Sequence, residues 1–326
     1  MFWIVRGHFS EGRRWLTAGL SGGEAAPIGV KARALLALGD LTHKQGDYTL
    51  AVEDLEASLA LYREAGDRSG EAYSLCFLGW IAMDRSDLEQ AERLLEESLA
   101  LSRTAGTARA ISLALNALSG LADARGDSGR AAALLEECLS VARKARDIGI
   151  IAISNHNLGL TAAMTGEYER AEAFLREAQE MYRELGQGSG VALANSLLGF
   201  LALSRNDPDR AEELCVEAIR ELQEMAQTPD VVYTLNILAG VAASRGEIRR
   251  AARLWGAAAG FREAIGAPWI PDERAIIEPH IEAARTRLDE AIWLEEWEKG
   301  RSMTLDQAVG YALQGSGERA MERGYR

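Results

Sequence analysis

One spacing constrains this chain more than any other feature: a short turn recurs every forty residues. The turns read GDY at 46, SDL at 86, GDS at 126, GEY at 166, NDP at 206 and GEI at 246. An alanine stands five positions after the start of each turn, at Ala51, Ala91, Ala131, Ala171, Ala211 and Ala251. A period of this length, kept over most of the chain, indicates stacked structural repeats.

Each repeat is expected to fold as two amphipathic helices. The chain has only six prolines, and its frequent alanine, leucine, glutamate and arginine favour helix. The turn glycine permits the backbone to reverse, and the acid after it suits the start of the next helix. Small residues such as Gly79 and Gly159 mark close helix crossings. Since one pair cannot bury its own apolar stripe, the pairs should stack.

The combination of turn, alanine, large apolar residue and a Leu-Gly pair (as at Leu78-Gly79) resembles the tetratricopeptide repeat (TPR). The forty-residue period resembles a subclass with longer helices, because the usual period is about 34. The resemblance implies an all-α, right-handed superhelical solenoid of antiparallel helix pairs with a C-terminal helical cap. It covers residues 1–266, with turns starting near 7, 46, 86, 126, 166, 206 and 246.

The two ends of the chain carry a narrower resemblance. FWIVRGHFSEGRRWL at the start and WEKGRSMTLDQAVGYAL near the end resemble the C-terminal arms of bacterial signal-transduction (STAND) ATPases and LuxR-type transcriptional regulators. In that family the repeat arm is the sensing or autoinhibitory part. The N-terminal residues lack the basic region and longer apolar core of a signal peptide, so a cytoplasmic location is expected. The ATPase motif GxxxxGK[ST] is absent from this sequence, so the arm is expected here without its ATPase domain.

Residues 267–313 are predicted to form capping helices and residues 314–326 a disordered polar tail. Trp293 and Trp297 lie four apart on one helical face and should seal the last repeat. The sequence TLDQ, starting at Thr304, fits a capping box for a short last helix that ends near Leu313.

Composition and motifs exclude several classes of function. A net charge of −13 argues against nucleic-acid binding by this chain, and the apolar runs are too short to span a membrane. The three cysteines are interpreted as buried small hydrophobes. No histidine spacing suggests a metal site, and no nucleophile motif or phosphate-binding loop is present. We therefore expect no enzyme, no cofactor and no metal.

A candidate peptide-binding groove follows from the repeat register. The position thirty after each turn start is mostly polar, and apolar residues flank it at spacings of three and four, which share a helix face. The candidate groove residues are Tyr73, Cys76, Trp80, Asn116, His156, Leu160, Ser196, Phe200, Tyr233 and Asn236. Two interpretations stay open: the amides form a ladder that pairs with an extended peptide, or they bond to a neighbouring helix.

The leading hypothesis is a non-enzymatic protein- or peptide-binding module, the sensor or autoinhibitory arm of a bacterial transcriptional regulator. The alternative is a stand-alone scaffold or oligomerisation protein. Phe2 and Trp3 belong to a helix that lacks its partner, so they are candidates for contact with an upstream ATPase domain or with a second chain.

Overall fold

The chain is helical throughout the part that the computed structural model describes, which is residues 9–22, 26–224, 228–264 and 271–323. These ranges contain sixteen helices and no strand. They divide between two compact units, residues 1–187 and 188–326. None of the described helices is both long and apolar enough to cross a membrane.

Unit 1 stacks four antiparallel helix pairs behind one leading helix. Within a pair, the first helix packs along the second, and each second helix packs on the first helix of the next pair. The helices are α1 (Phe9–Gly22), α2 (Ile28–Lys44), α3 (Tyr48–Ala65), α4 (Arg68–Asp84), α5 (Leu88–Ala105), α6 (Ala108–Ala124), α7 (Ser128–Ala145), α8 (Ile148–Met164) and α9 (Tyr168–Glu184).

Unit 2 contains two further pairs and three helices that follow them. The last pair packs against the capping helices, above all against α15. The helices are α10 (Gly188–Ser204), α11 (Pro208–Glu224), α12 (Thr228–Ser244), α13 (Ile248–Ala264), α14 (Pro271–Arg285), α15 (Glu290–Arg301) and α16 (Leu305–Arg323).

The repeated turn has the left-handed backbone conformation that its sequence predicts. The residue at the turn start has a positive φ in all six repeats: Gly46, Ser86, Gly126, Gly166, Asn206 and Gly246. Glycine adopts this conformation without steric cost, and asparagine adopts it more readily than most residues. Where the next residue is an aspartate, its side chain caps the following helix; the Asp47 carboxylate, for example, accepts a hydrogen bond from the amide of Leu50.

The repeat positions singled out in the sequence form the core. The alanine of every repeat is fully buried, and so are Leu55, Leu95, Leu135 and Leu175. Gly79 lies under Leu95, so closely that an added Cβ would be 2.5 Å from the leucine Cδ2. The first and second helices of a pair can therefore cross this closely only because the glycine has no side chain.

Three tryptophans pack together where the last repeat meets the capping helices. Trp293 lies between Trp255 of the last repeat and Trp297, with ring centroids 6.3 Å and 6.1 Å apart. The capping box is present: the amide of Thr304 donates to the Gln307 side chain over 2.9 Å, and the amide of Gln307 donates to the Thr304 hydroxyl over 3.3 Å.

The end of the last helix differs from the expected boundary. The last helix was expected to end near Leu313 with a disordered tail over 314–326, whereas α16 continues to Arg323. Residues 324–326 of that tail lie outside the described residues. The segment after Leu313 contains Gln, Glu, Arg, Ala and Met, all of which are good helix formers, and its two glycines do not outweigh them.

Candidate peptide-binding surface

The first helices of the pairs lie on the inner side of each stack. In unit 1, α2 contacts α4, α4 contacts α6 and α6 contacts α8, and in unit 2 α10 contacts α12. Among the described helices, no two second helices contact each other to this extent. Elements on the inside of a curved stack approach one another more closely than those outside. The surface of the first helices is thus the place where a ligand would be enclosed.

The inner face of unit 1 carries large apolar side chains that are only partly covered. Tyr73, Phe77 and Trp80 lie on one stripe of α4 and are all half-buried. The rings of Phe77 and Trp80 meet edge to face with centroids 5.0 Å apart. Leu113 and Leu160 hold the equivalent positions on α6 and α8 and are also half-buried. These five residues are called the unit 1 inner face below.

A missing side chain opens this face in the middle. Gly120 on α6 occupies the repeat position of Trp80 on α4 and Leu160 on α8. A Cβ at Gly120 would meet only the tip of Met83, at 3.2 Å from its Cε. The bottom of the gap between Trp80 and Leu160 is therefore formed by Met83, a flexible side chain that can adapt to a bound group.

Asn116, which was predicted to face a peptide, lies in the interior. Only 3% of its surface is exposed. Its amide nitrogen is 3.1 Å from Cys138 Sγ and 3.2 Å from Ser154 Oγ, and its oxygen accepts a bond of 3.2 Å from the Asn157 amide. All of its partners are on neighbouring helices, so here the structure adopts the second interpretation, a bond between helices.

The other members of this polar position are also mostly covered. Ser196 is buried and its hydroxyl lies 2.8 Å from that of Thr234 on the next first helix, and Asn236 is 4% exposed. Cys76 is buried as well, and burial raises the pKa of its thiol to about 12. A ladder of amides open to a bound peptide is thus not formed at these positions.

His156 differs from its equivalents because it is half-buried. Its ring meets that of Tyr182 edge to face at 6.4 Å. The Nδ1 atom is covered and has no hydrogen-bond partner among the described residues. Burial lowers the pKa of His156 to about 4, so the imidazole is neutral at physiological pH.

Polar groups mark the two ends of the unit 1 inner face. At the end where the first helices begin, Arg109 Nη1 lies 2.6 Å from Asp147, and both charges act on the nearby Tyr73, whose pKa is raised mainly by burial. At the other end, the Thr161 hydroxyl donates to Asp123 over 2.7 Å. These four polar residues were not identified from the sequence, because each belongs to an ordinary-looking helix end.

Unit 2 repeats the pattern on a smaller scale. Phe200 on α10 and Tyr233 on α12 are half-buried and pack against the core of this unit. Gly240 holds the position of Gly120, and a Cβ there would lie 2.9 Å from Leu203 Cδ2. Phe200 and Tyr233 thus lie on the first helices of unit 2.

Two of the sequence-based expectations concern other parts of the chain. Phe2 and Trp3 lie outside the described residues. Within the described ranges, no three or more His, Cys, Asp or Glu side chains gather in a group that could hold a metal ion.

Comparison with known proteins shows which folds this chain resembles. A family model described as "Tetratricopeptide repeat" matches residues 31–104 and 150–224. A search of the curated proteins found no match. A Rap protein complexed with Competence and Sporulation Factor has a TM-score of 0.66 at 15% identity, over 93% of this chain and 80% of that chain.

Two further Rap structures are similar to the chain. The Rap conjugation gene regulator of plasmid pLS20, in complex with the Phr* peptide, has a TM-score of 0.66 at 15% identity, over 81% of this chain and 73% of that one. The apo form of RapI has a TM-score of 0.56 at 14% identity, over 88% of this chain and 97% of that one. These likenesses establish a TPR-like helical solenoid. They add nothing to the resemblance to STAND and LuxR-type regulators, which stays a proposal.

Proposed function

We propose that this chain is a non-enzymatic module that binds a protein or an extended peptide on the inner side of its first helices. The observation that carries the proposal is the unit 1 inner face, where three aromatic residues and a gap at Gly120 are left partly open. Further support comes from two structures of similar fold that are described as complexes with Competence and Sporulation Factor and with the Phr* peptide.

The chemistry of the face favours a ligand with apolar anchor side chains. Trp80 and Leu160 flank the gap at Gly120, which suits an aliphatic or aromatic side chain of the partner. Buried aromatic residues carry most of the energy in such interfaces. The ion pair of Arg109 with Asp147 at one end offers polar groups that can fix the direction of a bound peptide.

We further propose that the module is the sensor or autoinhibitory arm of a cytoplasmic bacterial transcriptional regulator. This rests on the sequence of the two ends alone. The mass of the natural protein in its own cells tests it: a species well above the 35.4 kDa of this chain supports a larger regulator, and a species of that mass contradicts it.

Peptides selected from a displayed random library on the full chain test the binding proposal. Trp80→Ala should weaken the selected peptides at least about tenfold, the effect of removing one aromatic anchor. Trp15→Ala is the matched control, because Trp15 is 57% exposed on α1 and lies off the inner face. Gly120→Leu is a second variant, chosen to fill the gap; its Cβ would meet only the tip of Met83.

Three outcomes are possible. Loss of affinity in Trp80→Ala and Gly120→Leu with retention in Trp15→Ala supports the proposal. Equal affinity in all variants contradicts it, as does a library from which no peptide is enriched. Helical content and thermal unfolding, followed by circular dichroism, show whether a variant has lost binding through loss of structure.

A further inference from the structure

Unit 2 contains a cavity that lies away from the first helices. It has a volume of about 640 Å³ and lies where the start of α13 meets the capping helices. Four arginines line it: Arg249, Arg250 and Arg253 on α13, and Arg287 in the turn before α15. Glu247, Glu296 and Tyr311 complete the polar lining.

This concentration of positive charge is specific to the last repeat. Arg250 recurs at the same register position in three earlier repeats, as Arg130, Arg170 and Arg210. The position of Arg249, by contrast, is acidic in three earlier repeats, where it is Glu89, Glu169 and Asp209. The repeat architecture therefore accounts for Arg250 and does not account for Arg249.

Two of the four arginines are neutralised within the cavity and two are not. Arg253 Nε donates to Glu296 over 2.7 Å, and Arg250 Nε lies 3.6 Å from Glu247. In the described part of the chain, no carboxylate lies within ion-pair distance of Arg249 or Arg287, although Arg287 donates to a backbone carbonyl. Glu296 also contacts Lys299. The lining thus has a local excess of positive charge in a chain whose net charge is −13.

Two of the guanidinium groups, those of Arg250 and Arg253, are held in place by the capping helices. Arg250 Nη2 donates to the carbonyl of Ala312 over 2.8 Å. The guanidinium carbons of Arg250 and Arg253 lie 5.7 Å and 4.9 Å from the centre of the Tyr311 ring, within cation–π distance. Arginines fixed in this way lose little entropy on binding a ligand, which favours recognition of an anion.

We propose that this cavity binds a small molecule that carries a phosphate group. Its volume lies in the range of small-molecule sites, roughly 300–1,000 Å³. Planar guanidinium groups match phosphate oxygens with pairs of parallel hydrogen bonds, and this match is the usual reason for arginine at phosphate sites. The site contains none of the residues of the peptide-binding surface, so the two proposals can be tested independently.

Calorimetric titration of the full chain with pyrophosphate, at constant ionic strength set with potassium chloride, tests the site. The double variant Arg249→Gln/Arg287→Gln should bind at least about tenfold more weakly, because it removes the two unpaired charges. Arg68→Gln is the matched control. Arg68 is an exposed arginine at the start of α4 in the other unit and has no ion pair in the described residues.

The result that supports the site is binding that the double variant weakens and Arg68→Gln leaves unchanged. Absence of measurable heat, or an equal loss in Arg68→Gln, would overturn it, since the latter indicates diffuse attraction to surface charge. Citrate is a further probe of similar charge. If citrate binds as tightly as pyrophosphate, the assignment to phosphate is wrong.

Discussion

Replacing Gly256 by alanine would place a methyl group inside the contact between α13 and α15. The added Cβ would overlap the carbonyl oxygen of Trp297 and lie 2.9 Å from its carbonyl carbon and 3.0 Å from its Cα. These are backbone atoms, so no side-chain rotation relieves the overlap. The two helices would have to separate, which would loosen the packing of Trp255 on Trp293.

The expected cost follows from two opposing terms. Overpacking a core against side chains costs about 1–3 kcal/mol, and a backbone contact lies at the upper end or beyond. Alanine in a helix interior is more favourable than glycine by about 1 kcal/mol, which offsets part of this cost. We therefore expect Gly256→Ala to lower the free energy of unfolding by roughly 2 kcal/mol or more. Gly310→Ala is the control, because nothing lies within 4 Å of its Cβ; it should be stabilising.

Urea unfolding followed by tryptophan fluorescence measures both variants, since Trp255, Trp293 and Trp297 report on this contact. Repeat proteins can unfold in parts, so hydrogen exchange of α13 and α15 should accompany the titration. Faster exchange in these helices is expected for Gly256→Ala alone. A Gly256→Ala protein as stable as the wild type would refute the close crossing.

Three further predictions concern unit 1 and the thiols. Burial raises the pKa of Asp54 to about 6, against 3.8 for an unperturbed aspartate, so the contribution of this residue to stability is most favourable below about pH 4 and is lost as the pH rises through 6. Allowing for screening by solvent, Asp54→Asn should gain about 1 kcal/mol at pH 7 and nothing at pH 4; equal gains at both would contradict this. Asn116→Ala should cost about 1–3 kcal/mol by leaving buried partners unpaired, measured by thermal unfolding, and an unchanged melt would count against the network. Cys76, Cys138 and Cys215 are buried with raised thiol pKa values, so a thiol reagent should label them only after denaturation; native labelling would contradict the burial.

Much of the fold could be read from the sequence because the repeat ties each residue to a local physical need. A left-handed turn at Gly46, a cap at Asp47 and a glycine under Leu95 are all requirements of two helices packed closely. The same holds for the Thr304 capping box. The extent of α16 could not be read in this way, because its polar residues are compatible with both helix and coil.

The candidate surface was predicted less well, for a physical reason. A polar residue on an apolar helix is equally consistent with a ligand contact and with a bond to the next helix. For Asn116 the partners Cys138 and Ser154 come from two other helices, and no single-helix pattern reveals them. The apolar residues Tyr73 and Trp80 were easier to place, since spacing alone fixes the stripe on which they lie.

The central claim is that the first helices of unit 1 hold a peptide. Hydrogen exchange of the full chain, with and without a peptide selected on it, tests this most directly. We expect slower exchange in α4, α6 and α8, around Trp80, Gly120 and Leu160, with α3, α5 and α7 unchanged. Protection confined to the second helices, or no protection in either set, would contradict it.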